Sequence, residues 1–366
     1  MYPRNQLIKF FIICLMLSLV SACDSGAPTP ADKPESDDRT FKHSIFSFGT
    51  LIEISIYGVD LQTAERAFEQ LEMDFRYMHV TWHPWQRSAL SRDNKLIATT
   101  EWFSDAPSVR PLIEIAKELA VKSDHLFNPA IGKLIYLWGF KNAEHETGIP
   151  PAATDIEKLV VLNPRMDDLE LREIQMRSNN PAVLIDLGGF AKGYGINRSM
   201  ETLKTMGINH AVINAGGDLK VIGRHGNRPW RIGIRHPRIA DQVLAYVEVE
   251  GEESVFTSGD YERYFIYQDK RYHHIIDPRT GYPANGSQSV TVIHADAALA
   301  DAAATALFVA GPSDWQRVAQ SMGIEDVLLV DANGELHMTE SMRKKIQLPG
   351  NQPSAKNSSI KSTQAD

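Results

Sequence analysis

Asp301 and Thr305 stand four residues apart in the stretch DAALADAAATALFV (296–309). That spacing puts both side-chain oxygens on one face of a helix that is otherwise small and apolar. A hard divalent cation such as magnesium, held by a carboxylate and a hydroxyl together with substrate phosphate oxygens, suits the pair. The other reading leaves Asp301 solvated and Thr305 bonded back to its own helix, and the alanines on both sides argue against exposure. Upstream, IDLGGFAKGYG (185–195) joins a strand end, the pair Gly188 and Gly189, and a helix start carrying Lys192. Backbone N–H groups at such a helix start attract phosphate, although the same residues also make a plain tight turn. A second glycine turn, Asn214-Ala215-Gly216-Gly217-Asp218, follows the next strand and strengthens the case for a nucleotide cleft.

The densest polar stretch is TSGDYERYF (257–265), followed by HHIIDPRTGYP (273–283). Adjacent His273 and His274 invite a zinc reading, but neighbours on a strand face opposite sides and do not readily hold one ion. A single histidine, His274, acting as a base near neutrality is more economical, with Arg279 either pairing with Asp277 or facing a phosphate.

These side chains need elements to position them. Ile52, Ile54 and Ile56 alternate with polar residues, so 44–57 reads as a strand with one wet face. From Leu61 the period changes, and Ala64, Phe68, Leu71, Phe75 and Met78 follow helical spacing. Further helices are predicted over 111–122 and 191–206, the latter stopped by Gly207, and over 296–309. Strands are predicted over 211–214, 230–235, 244–249, 264–267, 290–294 and 327–330. Strands and helices do not alternate regularly, which favours an α+β or mixed-sheet layer fold, one lobed domain over 42–348, rather than a doubly wound one.

Both ends read differently. Residues 1–22 carry Arg4 and Lys9, an apolar run and then small residues, the order of a secretory signal. The run is too short for a membrane span. Val20-Ser21-Ala22-Cys23 resembles a bacterial lipobox, in which Cys23 becomes a lipidated N-terminus, and the acid at Asp24 is similar to an inner-membrane retention signal. Residues 24–41 read as a flexible tether and 349–366 as a disordered tail. Cys14 leaves with the signal and Cys23 is acylated, so neither cysteine serves a disulfide or a metal. With 38 Lys+Arg against 46 Asp+Glu the net charge is -8, and no basic field exists to hold a nucleic acid.

FGT (48–50), NPAIGKLIYLWGF (128–140), IDLGGFAKGYG (185–195), INAGGDLKVIG (213–223), TSGDYERYF (257–265), HIIDPRTGYP (274–283) and ADAAATALFVAG (300–311) together resemble the FAD:protein FMN transferase family, the ApbE-like flavin transferases. The resemblance covers 44–340 in matching order. It implies a T-fold-like mixed α/β fold, a periplasmic lipoprotein on the inner membrane, and Mg²⁺-dependent transfer of FMN from FAD to a threonine of an acceptor protein. It also implies that the acceptor is a respiratory or electron-transfer subunit.

Carried over residue by residue, Asp301, Thr305 and the main-chain oxygen of Gly189 match the family's metal ligands. Asp186, Lys192 and Ile275 match positions around FAD. Gly216, Gly217, Asp218, Ser258 and Gly259 match adenine and pyrophosphate surroundings, while Phe48, Trp85, Leu126, Phe127 and Asn128 match the flavin end. His274 matches the base. Asn128 stands where the family commonly has an acid, and Phe48 replaces a methionine. Two other readings keep the site: a Mg²⁺-dependent FAD pyrophosphatase releasing FMN and AMP, and a lipoprotein that only binds FAD.

Overall fold

The computed structural model describes residues 39–141 and 148–349, and the backbone of Lys361–Ser362. The predicted signal, Cys23 and the tether up to residue 38 lie outside the described residues, as do 350–360 and 363–366 of the tail. All described residues belong to one compact unit, Ser36–Asp366. Its first strand, Thr40–Ser47, starts inside the stretch expected to be tether. Within the expected tail, the backbone of Lys361–Ser362 pairs parallel to His337–Met338.

The strand expected over 44–57 is a hairpin instead: Thr40–Ser47 runs antiparallel to Thr50–Tyr57 with Ser47 opposite Thr50. The break falls at Phe48 and Gly49, both at positive φ (52° and 75°), the conformation of a two-residue hairpin turn. Phe48 is held there because its N–H donates to His79 Nδ1 and its ring packs against Phe75, His79 and Trp82. Alternation alone cannot reveal such a turn, because the period of two resumes after it. Ile52, Ile54 and Ile56 are fully buried, as their pattern requires.

From this hairpin the main sheet continues through Ala211–Ala215, Asp218–Gly223, Gly251–Gly259, Ser287–His294, Asp326–Asp331 and Leu336–Met338, each antiparallel to its neighbour. Gly251–Gly259 was not foreseen, and its sequence explains why: polar at one end and buried on consecutive residues Val255 and Phe256, it shows no alternation. One face is packed by helices, chiefly Leu61–Thr81, Ala191–Thr205 and Ala297–Ala310. The other face buries Leu219, Val221, Val255, Ile293 and Leu328 against a three-stranded sheet made of Trp230–Arg235, Val243–Val249 and Ile346–Gln347. An antiparallel sheet with helices gathered on one face is the α+β arrangement.

Ala297–Ala310 is the central helix. It is apolar nearly all round and buried on every side, with Asp301 6% exposed, so the solvated reading of Asp301 does not hold. Asp296 caps its start by accepting from the N–H groups of Ala298 and Leu299. The small residues admit a neighbouring helix to backbone contact: a Cβ on Gly193 would lie 2.2 Å from the Ala297 carbonyl oxygen.

Candidate functional site

A cleft enclosing about 840 Å³ of free space, solvent at its mouth included, opens between the central helix, the Gly188-Gly189 turn, the 126–131 segment and the 257–263 and 274–276 segments. The 126–131 segment is tied to the glycine turn: Asp186 N–H donates to the Pro129 carbonyl, Leu184 N–H to that of Ala130, and Gly132 N–H to that of Leu184. Asn94, buried and unforeseen, clamps the same loop by exchanging two hydrogen bonds with the Ile185 backbone, at 2.9 and 2.8 Å. Asp186 then accepts from the Gly188 N–H at 2.7 Å, shaping the turn.

The turn delivers Gly189 beside the central helix. A Cβ on Gly189 would sit 3.2 Å from Thr305 Oγ1, so the turn approaches that hydroxyl too closely for a side chain to fit between them without displacement. Thr305 Oγ1 is also 3.2 Å from Ser258 Oγ. Asp301 commits Oδ2 to the Gly193 N–H at 2.9 Å, a first-turn donor of Ala191–Thr205. The helix start expected to bind phosphate therefore already satisfies one donor with a carboxylate from its neighbour.

Asp218 accepts from the Thr257 N–H through one oxygen and ion-pairs with Lys192 through the other. The second glycine turn proves to be a hairpin turn, with Gly216 and Gly217 both at positive φ (69° and 107°) between Ala215 and Asp218. No helix follows it, so it offers no helix dipole; its contribution to the cleft is Asp218.

Among the residues lining the cleft, Asp186, Asp218, Glu262 and Asp301 face Lys192 and Arg263. Burial pushes the Asp301 carboxyl up to about 7 against the pull of Lys192, with repulsion from Asp218 adding to it. Glu262 keeps part of its surface in solvent at the mouth. The protein around its carboxyl still displaces enough water to push it up to about 7, again opposed by Lys192 and helped by Asp218. Burial works against the Lys192 ammonium, but Asp218, Glu262 and Asp301 outweigh it and hold its pKa above the ordinary lysine range. Carboxylates short of positive charge, beside a hydroxyl and a main-chain turn, form the oxygen-rich donor set that a hard divalent cation takes.

His274 follows the hairpin of Tyr264–Tyr267 and Lys270–His273. Its Nδ1 lies 3.3 Å from the Arg263 carbonyl oxygen. A carbonyl only accepts, so Nδ1 carries the proton and Nε2 keeps its lone pair. Burial, then the Arg263 guanidinium and His273, hold the ring well below the ordinary imidazole pKa, so it stands neutral. His273 faces away, donating from Nε2 to the Ala284 carbonyl, accepting the Ile275 N–H at Nδ1 and packing its ring on Phe308. The two rings thus diverge, as strand alternation predicts. Arg279 pairs with Asp277 at 2.8 Å, which decides between its two readings.

Leu126, Phe127, Asn128, Asp186, Gly189, Lys192, Asp218, Ser258, His274, Ile275, Asp301 and Thr305 all line the cleft. The other expected residues do not. Phe48 stacks on Trp82, Trp85 leans on Tyr136, and Gly216, Gly217 and Gly259 shape backbone. Asn128 lines the cleft but spends its amide on structure, donating to the Pro164 carbonyl and accepting the Ala130 N–H. Glu262 and Arg263 were missed although they lie inside TSGDYERYF; their only signal was two charges just before an aromatic strand.

A model of the ApbE family matches residues 48–328. The chain is 40% identical over 304 residues to an FAD:protein FMN transferase of Rhodobacter capsulatus, covering 83% of this chain and 58% of that relative. It is 32% identical to one of Klebsiella pneumoniae, covering 84% and 94%. Among solved structures, the ApbE protein of Thermotoga maritima superposes with a TM-score of 0.76 at 32% identity, covering 84% of this chain and 99% of that one. The flavin transferase ApbE of Vibrio cholerae gives 0.73 at 25% identity, with the same coverage.

Proposed function

The chain belongs to the ApbE family, and from that premise we propose that it transfers the FMN moiety of FAD to a threonine hydroxyl of an acceptor protein, with a divalent cation, Mg²⁺, at Asp301. The observation that carries this reading is the meeting, in one cleft, of an oxygen donor set around Asp301 and Thr305, two cationic side chains and a neutral histidine.

Asp301, Thr305 and the Gly189 main chain would hold the cation, which offsets charge on the pyrophosphate and on the departing phosphate. Lys192 and Arg263 supply fixed positive charge to the phosphate oxygens. His274 Nε2 takes the hydroxyl proton as the threonine oxygen bonds to the FMN-side phosphorus. The bond from that phosphorus to the bridging oxygen breaks, and AMP leaves with the electron pair. Arg263 serves twice, because its carbonyl fixes the His274 tautomer while its guanidinium adds to burial in holding the ring's pKa down. Apolar residues Ile131, Ile135, Ile275 and Ile276 line the cleft and disfavour water as the competing nucleophile.

The lipobox-like sequence at Cys23 supports placing the enzyme on the periplasmic side of the inner membrane by a lipid anchor, and the family resemblance supports respiratory or electron-transfer subunits as acceptors. Cys23→Ser is expected to move the chain from the membrane to the soluble fraction.

The test incubates the chain with FAD, Mg²⁺ and a protein bearing a candidate threonine, and reads the acceptor's intact mass and free AMP. A gain of one FMN with matching AMP establishes transfer. AMP with free FMN and no adduct, across a panel of acceptors, replaces transfer with hydrolysis. Bound FAD with neither product leaves a storage protein.

A further inference from the structure

Asn197 lies outside the cleft lining, yet it makes three hydrogen bonds at the junction that carries Asp301. It sits one turn beyond Gly193 on Ala191–Thr205. Its Nδ2 donates to Asp296 Oδ1 at 2.7 Å. Its Oδ1 accepts from the Ala297 N–H at 3.1 Å and from Lys220 Nζ at 2.9 Å. Lys220, almost fully buried, also donates to the Ala295 carbonyl. One carboxamide therefore grips the cap residue of the central helix, the first N–H of that helix and a lysine of the sheet beneath.

The second grip lies one turn away on each helix, where Gly193 N–H donates to Asp301 Oδ2. From Gly193 to Asn197 the first helix advances one turn; from Asp301 to Ala297 the second retreats one turn. The helices are thus pinned at two points, and a Cβ on Gly193 would lie 2.9 Å from that of Asp301, so they meet without slack. Without the Asn197 grip, the first turn of the central helix would be tied to Ala191–Thr205 by the Gly193 hydrogen bond alone. With both, a shift of either helix along or about the other breaks at least one of these hydrogen bonds.

We propose that Asn197 is a positioning residue for the cation site, fixing the first turn of the central helix so that Asp301 presents its second oxygen to the ion. This rests on the reading of Asp301 as a cation ligand. The reciprocal exchange of the pair at 197 and 296 isolates the effect. Asn197→Asp keeps the acceptor for Lys220 and Ala297 but sets a carboxylate against that of Asp296. Adding Asp296→Asn restores a donor between the two residues and keeps a good helix cap.

The experiment titrates Mn²⁺ alone into the purified full chain without FAD, and reads affinity by the loss of free-ion paramagnetic signal, the Gly193 amide exchange rate by mass spectrometry, and the thermal midpoint. Asn197→Asp is expected to weaken Mn²⁺ binding about tenfold or more and to speed Gly193 exchange by a similar factor, and the exchanged pair to return both to near the unaltered values. Unchanged affinity and exchange in Asn197→Asp overturn the proposal, as does an exchanged pair with a restored thermal midpoint but no recovery of affinity. Should Asn197→Asp fail to fold, the exchanged pair against Asn197→Leu, which lacks both hydrogen-bonding ends, makes the same comparison. If Asp301→Ala binds Mn²⁺ as tightly as the unaltered chain, the cation reading itself fails, and Gly193 exchange alone then decides whether Asn197 fixes Asp301.

Discussion

Gly188-Gly189 and Gly216-Gly217 are the same dipeptide, each placed after a strand-forming run, and the chain uses them for opposite reasons. The first pair lies outside the left-handed region and is there for room: Gly189 brings the turn close to Thr305, and the helix that follows reaches Asp301 through Gly193. The second pair is there for conformation, with φ of 69° and 107° closing a hairpin that sets Asp218 beside Lys192. Chemistry gathers where glycine gives proximity; where glycine gives only a backbone angle, the function lies in the next side chain. Adjacent His273 and His274 repeat the contrast, one with both nitrogens spent on backbone and one with a free lone pair at the cleft.

The histidines give the largest expected separation. His274→Ala should slow single-turnover FMN transfer by about a hundredfold to ten-thousandfold, the usual weight of a general base, with little change in thermal midpoint. His273→Ala should leave the rate per folded molecule nearly unchanged but cost about 2 kcal/mol of stability, through two lost hydrogen bonds and a void against Phe308. Comparable losses of rate in both variants would erase the distinction between them.

The glycine turns separate next. Gly189→Ala puts a methyl 3.2 Å from Thr305 Oγ1, and is expected to weaken Mg²⁺ or Mn²⁺ binding about tenfold. Gly217→Ala meets nothing within 4 Å but must hold a φ of 107°, so it should cost about 1–3 kcal/mol of stability at unchanged cation affinity. Titration and melting of both variants decide it, and equal effects on cation affinity would mean that the second turn also belongs to the ion site.

Much of this was legible in the sequence because the deciding features are local. The Asp301–Thr305 spacing, the opposite facing of His273 and His274, and the isoleucine alternation of Thr50–Tyr57 all follow from periodicity. What escaped depends on distant partners. Phe48 is drawn off the cleft by rings at Phe75 and Trp82, Asn128 is spent on the Pro164 carbonyl, and Asn94 reaches across the chain to Ile185. Nothing near these residues in the chain records those contacts.

The histidine contrast also has a pH signature, recorded as transfer rate at saturating Mg²⁺. His274 is held below the ordinary imidazole value by burial and then by Arg263, so its base form persists as the medium turns acidic. A depressed pKa means that protonation, and the loss of rate, set in only below the value of a free imidazole. Arg263→Gln removes the guanidinium but keeps the carbonyl that fixes Nδ1, and should move that acidic limb to higher pH. A limb that stays in place would take Arg263 out of the causes and leave burial, with His273 and Lys192, to account for the depression.

The smallest effect tests whether Asn128 belongs with the residues that react or with those that shape backbone. Its carboxamide donates to the Pro164 carbonyl at 2.8 Å and accepts from the Ala130 N–H, so both ends hold the segment that is zipped to the glycine turn. Asn128→Asp preserves the acceptor, removes the donor and sets a buried carboxylate against a carbonyl oxygen. That should cost about 1–3 kcal/mol in a melting experiment, with the pH profile of transfer unchanged. A new limb in that profile, or a faster transfer, would instead put position 128 among the reacting groups, because an acid that only replaced a structural amide has no route to the rate except through lost stability.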